Sequence, residues 1–286
     1  MRFSTAGIFS TSPQKTLDEF KALGIIDLEL SGLESPGDIE RFCISYQSKG
    51  FQFHLHNYFV KEEKGNDFVM NLASTDDDIA ALTKSKILKA VSVTSKLGKN
   101  FFSFHAGFFL NLNREELGRK FASHIYSEKE EAKSVELFFS RLENIALIAN
   151  EMNVALGVET NVCTFENYQR FERRNPFMLA SERQIDEFIQ NKPRNVKILW
   201  DFGHVKVSSH TFGFEHRKVF KKSEEHIIGL HISDNDGISD QNYPVTPDNW
   251  CFHEARNFDY STFEIYGKQN ILKQLDYLKL QNVKTS

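Results

Sequence analysis

Eight short apolar runs, bounded by turn-forming residues and separated by longer amphipathic stretches, limit most strongly what this 286-residue chain can fold into. The runs cover residues 2–9, 25–30, 51–56, 101–105, 154–160, 196–201, 227–232 and 262–265. Between them lie helical patterns over residues 14–23, 36–49, 76–97, 128–150, 181–190 and 214–222, and a last one over 268–280 closes the chain. Asp76 with Asp77, and Ser181 with Glu182, suit helix starts, because acidic and hydroxyl side chains satisfy the free N–H groups of a first turn. Strand and helix alternating in this way predict parallel strands joined by helical crossovers. Eight such units close as an α/β fold, a (β/α)8 TIM barrel. One unit departs from the pattern. Residues 234–260 are rich in Asp, Asn, Pro and Gly and carry no convincing helix, so they read as a long loop over the barrel mouth before the eighth strand. No low-complexity linker divides the chain, and residues 1–286 read as one domain.

Composition narrows the function. A hydrophobic content of 40% in a chain of this length, with 27 Phe, is enough to fill one large core. The net charge of −4 and pI near 6.2 give no basic patch for a polyanion, so nucleic acid is not an expected partner. Cys43, Cys163 and Cys251 fit neither a zinc-ribbon spacing nor a disulfide framework, which suits buried thiols in a reducing cytoplasm. The opening residues lack an apolar signal segment and no uncharged apolar stretch of about 18 residues occurs, so neither export nor membrane spanning is expected. No Walker-type phosphate loop is present, although a barrel can bind a phosphosugar through backbone amides.

The ionisable residues carry the functional signal. Strands of a closed parallel barrel are buried on both faces and should be apolar, yet polar groups recur at their C-terminal ends, where such barrels build sites. The third run ends His54-Leu55-His56-Asn57, the fourth Ser103-Phe104-His105-Ala106-Gly107, and the fifth Gly157-Val158-Glu159-Thr160-Asn161. The sixth ends Trp200-Asp201-Phe202-Gly203-His204, the seventh Leu230-His231-Ile232-Ser233-Asp234, and the eighth holds Phe263-Glu264-Ile265. Alternation puts His54 and His56 on one face, with His56 nearer the rim.

Each residue has a plainer reading. A lone histidine in an apolar run is more often a hydrogen-bonded core residue than a ligand, and His105 alone would not alter that. Glu159 and Glu264 are harder to explain, because a carboxylate in a barrel interior costs several kcal/mol unless a cation or a positive side chain offsets it. None of the strand ends supplies an obvious Lys or Arg for both, which favours a metal over an ion pair. His124, His210, His216 and His226 fall in helical or loop segments and read as solvated, as does the charged run 61–64.

These motifs resemble the xylose-isomerase-like barrels, a superfamily of sugar and sugar-phosphate isomerases and epimerases related to the endonuclease-four class of apurinic-site endonucleases. The resemblance spans nearly the whole chain. It rests on Asn71-Leu72-Ala73-Ser74, Phe104-His105-Ala106-Gly107, Gly157 to Asn161, Asp201-Phe202-Gly203-His204, His231-Ile232-Ser233-Asp234 and Phe263-Glu264. In the isomerase branch it implies one divalent ion on Glu159, Asp201, His231 and Glu264. Glu159 and Glu264 are then also the catalytic proton carriers, and His204 contacts substrate. His105 and His56 would hold hydroxyl groups beside it. Carboxylate-rich ligands with one imidazole suit manganese or zinc first, with magnesium and cobalt chemically admissible.

The endonuclease branch implies further metal ligands, and the chain is similar to it at His56, His105, His204 and Asp240. It departs at Asn242, where that branch has the histidine of an Asp-x-His pair. The acidic stretch 234–240 also suits a DNA duplex poorly. The expected function is therefore metal-dependent isomerisation or epimerisation of a small sugar or sugar phosphate. A metal-dependent phosphodiesterase and a non-catalytic sugar-binding barrel are the alternatives. Trp250, His253 and Arg256 on the long loop suit a lid or a sugar contact, or no role at all. The seventh-strand His is followed by Asp234, Asn235 and Asp236, where some isomerases carry an Arg. The motifs point to a class of sugar rather than to one sugar, and to no particular oligomeric state, a homo-oligomer included.

Overall fold

Branched and aromatic residues that must be buried on two faces shape this fold, and the strands they form close on themselves. The computed structural model describes residues 1–57, 59, 68–111 and 126–284. The strands are β1 Arg2–Ser4, β2 Asp27–Leu30, β3 Gln52–His56, β4 Phe101–His105, β5 Ala155–Glu159, β6 Val196–Asp201, β7 Ile227–Ile232 and β8 Tyr260–Phe263. They pair in sequence order as a closed parallel barrel, with β8 returning to β1 through Arg2–Thr262 and Phe3–Phe263. A closed parallel sheet leaves no free edge, and its outer face is covered by helices.

The helices are α1 Pro13–Ala22, α2 Ile39–Gln47, α3 Asp77–Lys96, α4 Glu128–Glu151, α5 Phe165–Arg170, α6 Glu182–Asn191, α7 Phe202–Phe212, α8 His216–Ser223, α9 Trp250–Glu254 and α10 Lys268–Lys284. Their starts are written in the sequence. Asp76 accepts from the backbone N–H groups of Asp78 and Ile79, and Ser127 with Glu130 and Ser181 with Gln184 form reciprocal capping boxes. The single-domain α/β barrel expected from the strand–helix alternation is the fold observed.

Several details differ from the sequence reading, among them the short helix α5, which falls where no helical pattern is expected. The first run ends as a strand at Ser4, because the chain turns through a 3-10 helix at Thr5–Gly7. The segment before β8 is mostly irregular but contains α9 and a 3-10 turn at Ala255–Asn257. Trp250 holds it down, its ring centroid 5.0 Å from that of Phe202 and 5.4 Å from that of Phe220. Helix α7 was not expected because it lacks a polar stripe: Phe202, Gly203, His204, Val205, Val207, Ser208 and Ser209 are all buried. The run 61–64 and His124 lie outside the described residues.

Inside the barrel, aromatic rings form a floor beneath small residues. Phe101 on β4 and Tyr260 on β8 stack at 4.3 Å across the interior. Arg2 reaches Asp27 Oδ1 at 3.2 Å and His54 Nε2 at 2.8 Å in the same lower layer. Above it, Gly157 and Gly229 leave room that a side chain would occupy. A Cβ at Gly157 would sit 2.8 Å from the Phe101 ring, and one at Gly229 would sit 2.7 Å from the Tyr260 carbonyl oxygen. The floor thus fixes where the next inward-facing residues stand, at the C-terminal mouth. Among the described residues no helix is long and apolar enough to cross a membrane.

Candidate active site

Strand alternation delivers one polar side chain per strand to the mouth, two residues beyond the packing layer. His56 follows His54, His105 follows Ser103, Glu159 follows Gly157, His231 follows Gly229, and Glu264 follows Thr262. Glu264 lies just past β8 but stays in the sheet, because its N–H donates to the Ile232 carbonyl at 3.2 Å. Asp201 ends β6 and begins α7 with no loop between, its Oδ1 accepting the His204 N–H at 2.7 Å.

The ligand atoms of Glu159, Asp201, His231 and Glu264 all lie within 4.8 Å of one another. His231 Nδ1 is 2.9 Å from Glu159 Oε1, 3.2 Å from Glu264 Oε2 and 3.6 Å from Asp201 Oδ2. Glu159 is fully buried, and its other oxygen, Oε2, is 2.9 Å from His105 Nδ1 and 3.2 Å from His56 Nε2. His56 Nδ1 is 3.0 Å from Ser103 Oγ, which turns its other nitrogen toward Glu159. His204 enters from α7. Its Nδ1 lies 2.7 Å from the Thr160 carbonyl, which can only accept, so Nδ1 carries a proton and Nε2 faces Asp240 Oδ2 at 3.4 Å.

Carboxylates outnumber fixed cations here, and the imidazoles compensate. Burial pushes the Glu159 carboxyl up, but His105, His231 and His56 outweigh it and hold the group well below its ordinary range. Burial pushes Asp201 up, opposed by His204 and His231 and reinforced by Glu159. Burial pushes His231 and His204 down, yet Glu29 and Glu159 hold the first, and Asp201 and Asp240 the second, well above the ordinary histidine value.

A divalent cation fits this donor set. Glu159 Oε2, Asp201 Oδ2 and His105 Nδ1 are buried without a hydrogen-bond partner, although His105 and Glu159 nearly touch. Buried polar atoms are rarely left so, and convergence without hydrogen-bond alignment is what atoms arranged around an ion show. Three carboxylates and one imidazole are hard-to-borderline donors suited to manganese, zinc, magnesium or cobalt.

The structure therefore gathers Glu159, Asp201, His231 and Glu264 in one cluster, with His56 and His105 beside Glu159. His204 and Asp240 line one side as a facing pair. Asn242 donates from Nδ2 to Asp240 Oδ2 at 3.3 Å. His54 belongs to the floor with Arg2 and stays out of the cluster. His216, read as solvated, is half-buried between Ser209, 3.3 Å from its Nδ1, and the Trp250 ring. His253 and Arg256 are exposed.

One residue of the cluster lies outside the strand-end pattern. Glu29 on β2 is 2% exposed, and its Oε1 lies 2.8 Å from His231 Nε2. The signal was a second acid, two residues after Asp27, in a strand that should be apolar.

Solved structures of the same shape include sugar epimerases. A D-tagatose 3-epimerase-like protein superposes with a TM-score of 0.68 at 17% identity, covering 100% of this chain and 99% of its own. The 3-keto-D-glucoside 4-epimerase of E. coli gives a TM-score of 0.65 at 12% identity, covering 98% of each chain. A Thermus thermophilus protein soaked with zinc chloride gives 0.57 at 15% identity, covering 98% of this chain and 96% of its own. No curated protein matches the sequence. The sequence model of the xylose isomerase-like TIM barrels matches residues 18–279, and the chain belongs to that family.

Proposed function

We propose that this protein is a divalent-metal-dependent isomerase or epimerase of a sugar or sugar phosphate, with Glu159 and Glu264 as its proton carriers. The observation that carries this reading is that Glu159 and Glu264, from different strands, approach the same nitrogen of His231 at 2.9 and 3.2 Å. Two carboxylates on separate walls can flank one carbon, which proton removal on one face and return on the other requires. Glu159, Asp201, His231 and Glu264 would hold the ion, which when bound polarises a substrate carbonyl and adjacent hydroxyl. The chain's own groups do the rest. His204, with Nδ1 fixed on the Thr160 carbonyl, presents Nε2 to a substrate oxygen. His105, a third exposed, and His56 behind it stand over Glu159 and orient hydroxyls.

A second reading, metal-dependent phosphodiester cleavage, draws on His56, His105 and Glu159, whose ligand atoms also lie within 4.8 Å of one another. Asn242 tells against it, because an amide that donates to Asp240 replaces an imidazole that would join a metal.

The test is metal content by elemental mass spectrometry on protein purified without chelator, beside a Glu159→Gln/Glu264→Gln double variant. Ketoses and phosphosugars are then incubated in deuterium oxide to read exchange at the carbon next to the carbonyl. About one equivalent of metal, lost in the variant, with metal-dependent deuterium uptake is the expected result. Two or three zinc ions with phosphodiester cleavage would replace this reading with the second. Failure to bind any divalent ion on reconstitution would end both, leaving a sugar-binding barrel.

A further inference from the structure

His231 stands between two sets of carboxylates. An imidazole's two nitrogens point away from each other, so the ring can face the mouth with one and the interior with the other. Nδ1 faces Glu159, to which it is hydrogen-bonded, and Glu264 and Asp201; Nε2 faces Glu29 alone among the described carboxylates, 2.8 Å away but not aligned as a hydrogen bond. Glu29 arrives from β2, across β1 from β8, and its second oxygen accepts the Thr262 hydroxyl at 3.1 Å. Thr262 is the cross-strand neighbour of His231. Glu29 is thus tied to both members of the β7–β8 pair that carries the histidine. Arg2, the nearest fixed cation along this wall, is engaged by Asp27 and His54.

We propose that Glu29 is a positioning residue that keeps a proton on His231 Nε2, so that Nδ1 offers its lone pair to an ion held by Glu159, Asp201 and Glu264. The inference rests on the metal reading above. With an ion on Nδ1 the ring's one proton would sit on Nε2, where the Glu29 carboxylate, which only accepts, stands ready to hold it. An ion bound at Nδ1 would displace any proton there to solvent, and the Nε2 proton would remain against Glu29. Carboxylates placed behind metal-binding imidazoles commonly act in this way, and losing one costs about 10- to 100-fold in affinity.

The test measures zinc and manganese affinity by chelator competition in the parent, Glu29→Gln and Thr262→Val. The tautomer of His231 is read by nitrogen-15 NMR on the zinc-loaded protein. The expected result is a loss of about 10- to 100-fold for Glu29→Gln, a smaller loss for Thr262→Val, and an Nε2 proton on His231 in the parent. A merely structural Glu29 would lower the melting temperature of the chelated protein and leave the affinities unchanged. Affinities within twofold of the parent in both variants overturn the inference while leaving the metal site standing. A parent that binds neither ion overturns the metal reading and this inference together. If Glu29→Gln does not fold, Thr262→Val decides alone, and an unchanged affinity there counts against the role.

Discussion

Asp201 holds two jobs at one position, and two substitutions separate them. Its Oδ1 caps α7 through the His204 N–H at 2.7 Å, while its Oδ2 points toward His231 Nδ1 at 3.6 Å without a hydrogen-bond partner. Asp201→Asn keeps an acceptor for the cap and removes the charge; Asp201→Ala removes both. Loss of a side-chain cap costs about 1 kcal/mol. The stranded N–H is buried here, which adds about 1–3 kcal/mol, so the alanine variant should lose roughly 2–4 kcal/mol. At about 2.1 cal/mol/K per residue, unfolding of this chain carries an entropy near 0.6 kcal/mol/K, and the loss corresponds to a drop of roughly 3–7 °C. In chelator, Asp201→Asn should melt within a degree or so of the parent, because burial and the Glu159 charge both oppose ionisation of Asp201. Adding manganese or zinc at about 100 times the dissociation constant should raise the parent by about 2.7 kcal/mol, or roughly 4–5 °C. The asparagine variant should lose most of that rise. Calorimetric melts with chelator and with metal give all the values. A full metal-induced rise in Asp201→Asn would refute its place among the ligands. A drop in chelator as large as that of alanine would refute the capping argument.

Two further outcomes follow from the barrel interior. Gly157→Ala should cost about 1–2 kcal/mol and lower the melting temperature by roughly 2–3 °C, since overpacking by 1–3 kcal/mol outweighs the 0.5–1 kcal/mol that alanine gains in a chain segment. Phe101→Leu in the same background should recover part of it, because the new Cβ meets the Phe101 ring; a melt at or above the parent would contradict the packing of that layer. His54 has its pKa lowered to about 3, by burial and then by Arg2 and Lys99. Between pH 6.5 and 3 the unfolded chain therefore binds a proton at this position and the folded chain does not. Stability should fall as pH drops through that window, by up to about 1.4 kcal/mol per unit from this group. Urea titrations of His54→Gln, which keeps an acceptor for Arg2, should show a flatter slope; an equal slope would remove His54 as a source.

Much of the fold was legible because barrel strands and their helices leave separate signatures. Runs such as 227–232, apolar but for His231, can be buried on both faces, and α3 and α6 announce their starts through Asp76 and Ser181. Helix α7 was not legible, since burial on nearly all sides removes the polar stripe that marks a helix, and its cap, Asp201, doubles as a strand end. The cluster at the mouth could be read because acids and imidazoles at strand ends contradict the apolar rule for parallel strands. Glu29 contradicts the same rule one layer deeper, away from the rim where such barrels build their sites. The floor was illegible for another reason: Arg2, Asp27 and His54 stand far apart in sequence on three neighbouring strands, and only the pairing of those strands brings them together.

The two glutamates differ in their contact with water. The Glu159 side chain is wholly enclosed, whereas that of Glu264 keeps 13% of its surface and stands beside the Tyr266 hydroxyl at 3.5 Å. The floor of Phe101 and Tyr260 closes the lower end. In the proposed chemistry, a proton taken up by Glu159 is shielded and a proton taken up by Glu264 meets bulk solvent. Isotope tracing should therefore be lopsided: label removed by Glu264 washes out, and label removed by Glu159 returns in part to the carbon it left. Running the reaction from each epimer in turn would then tell which glutamate attends which face of the sugar.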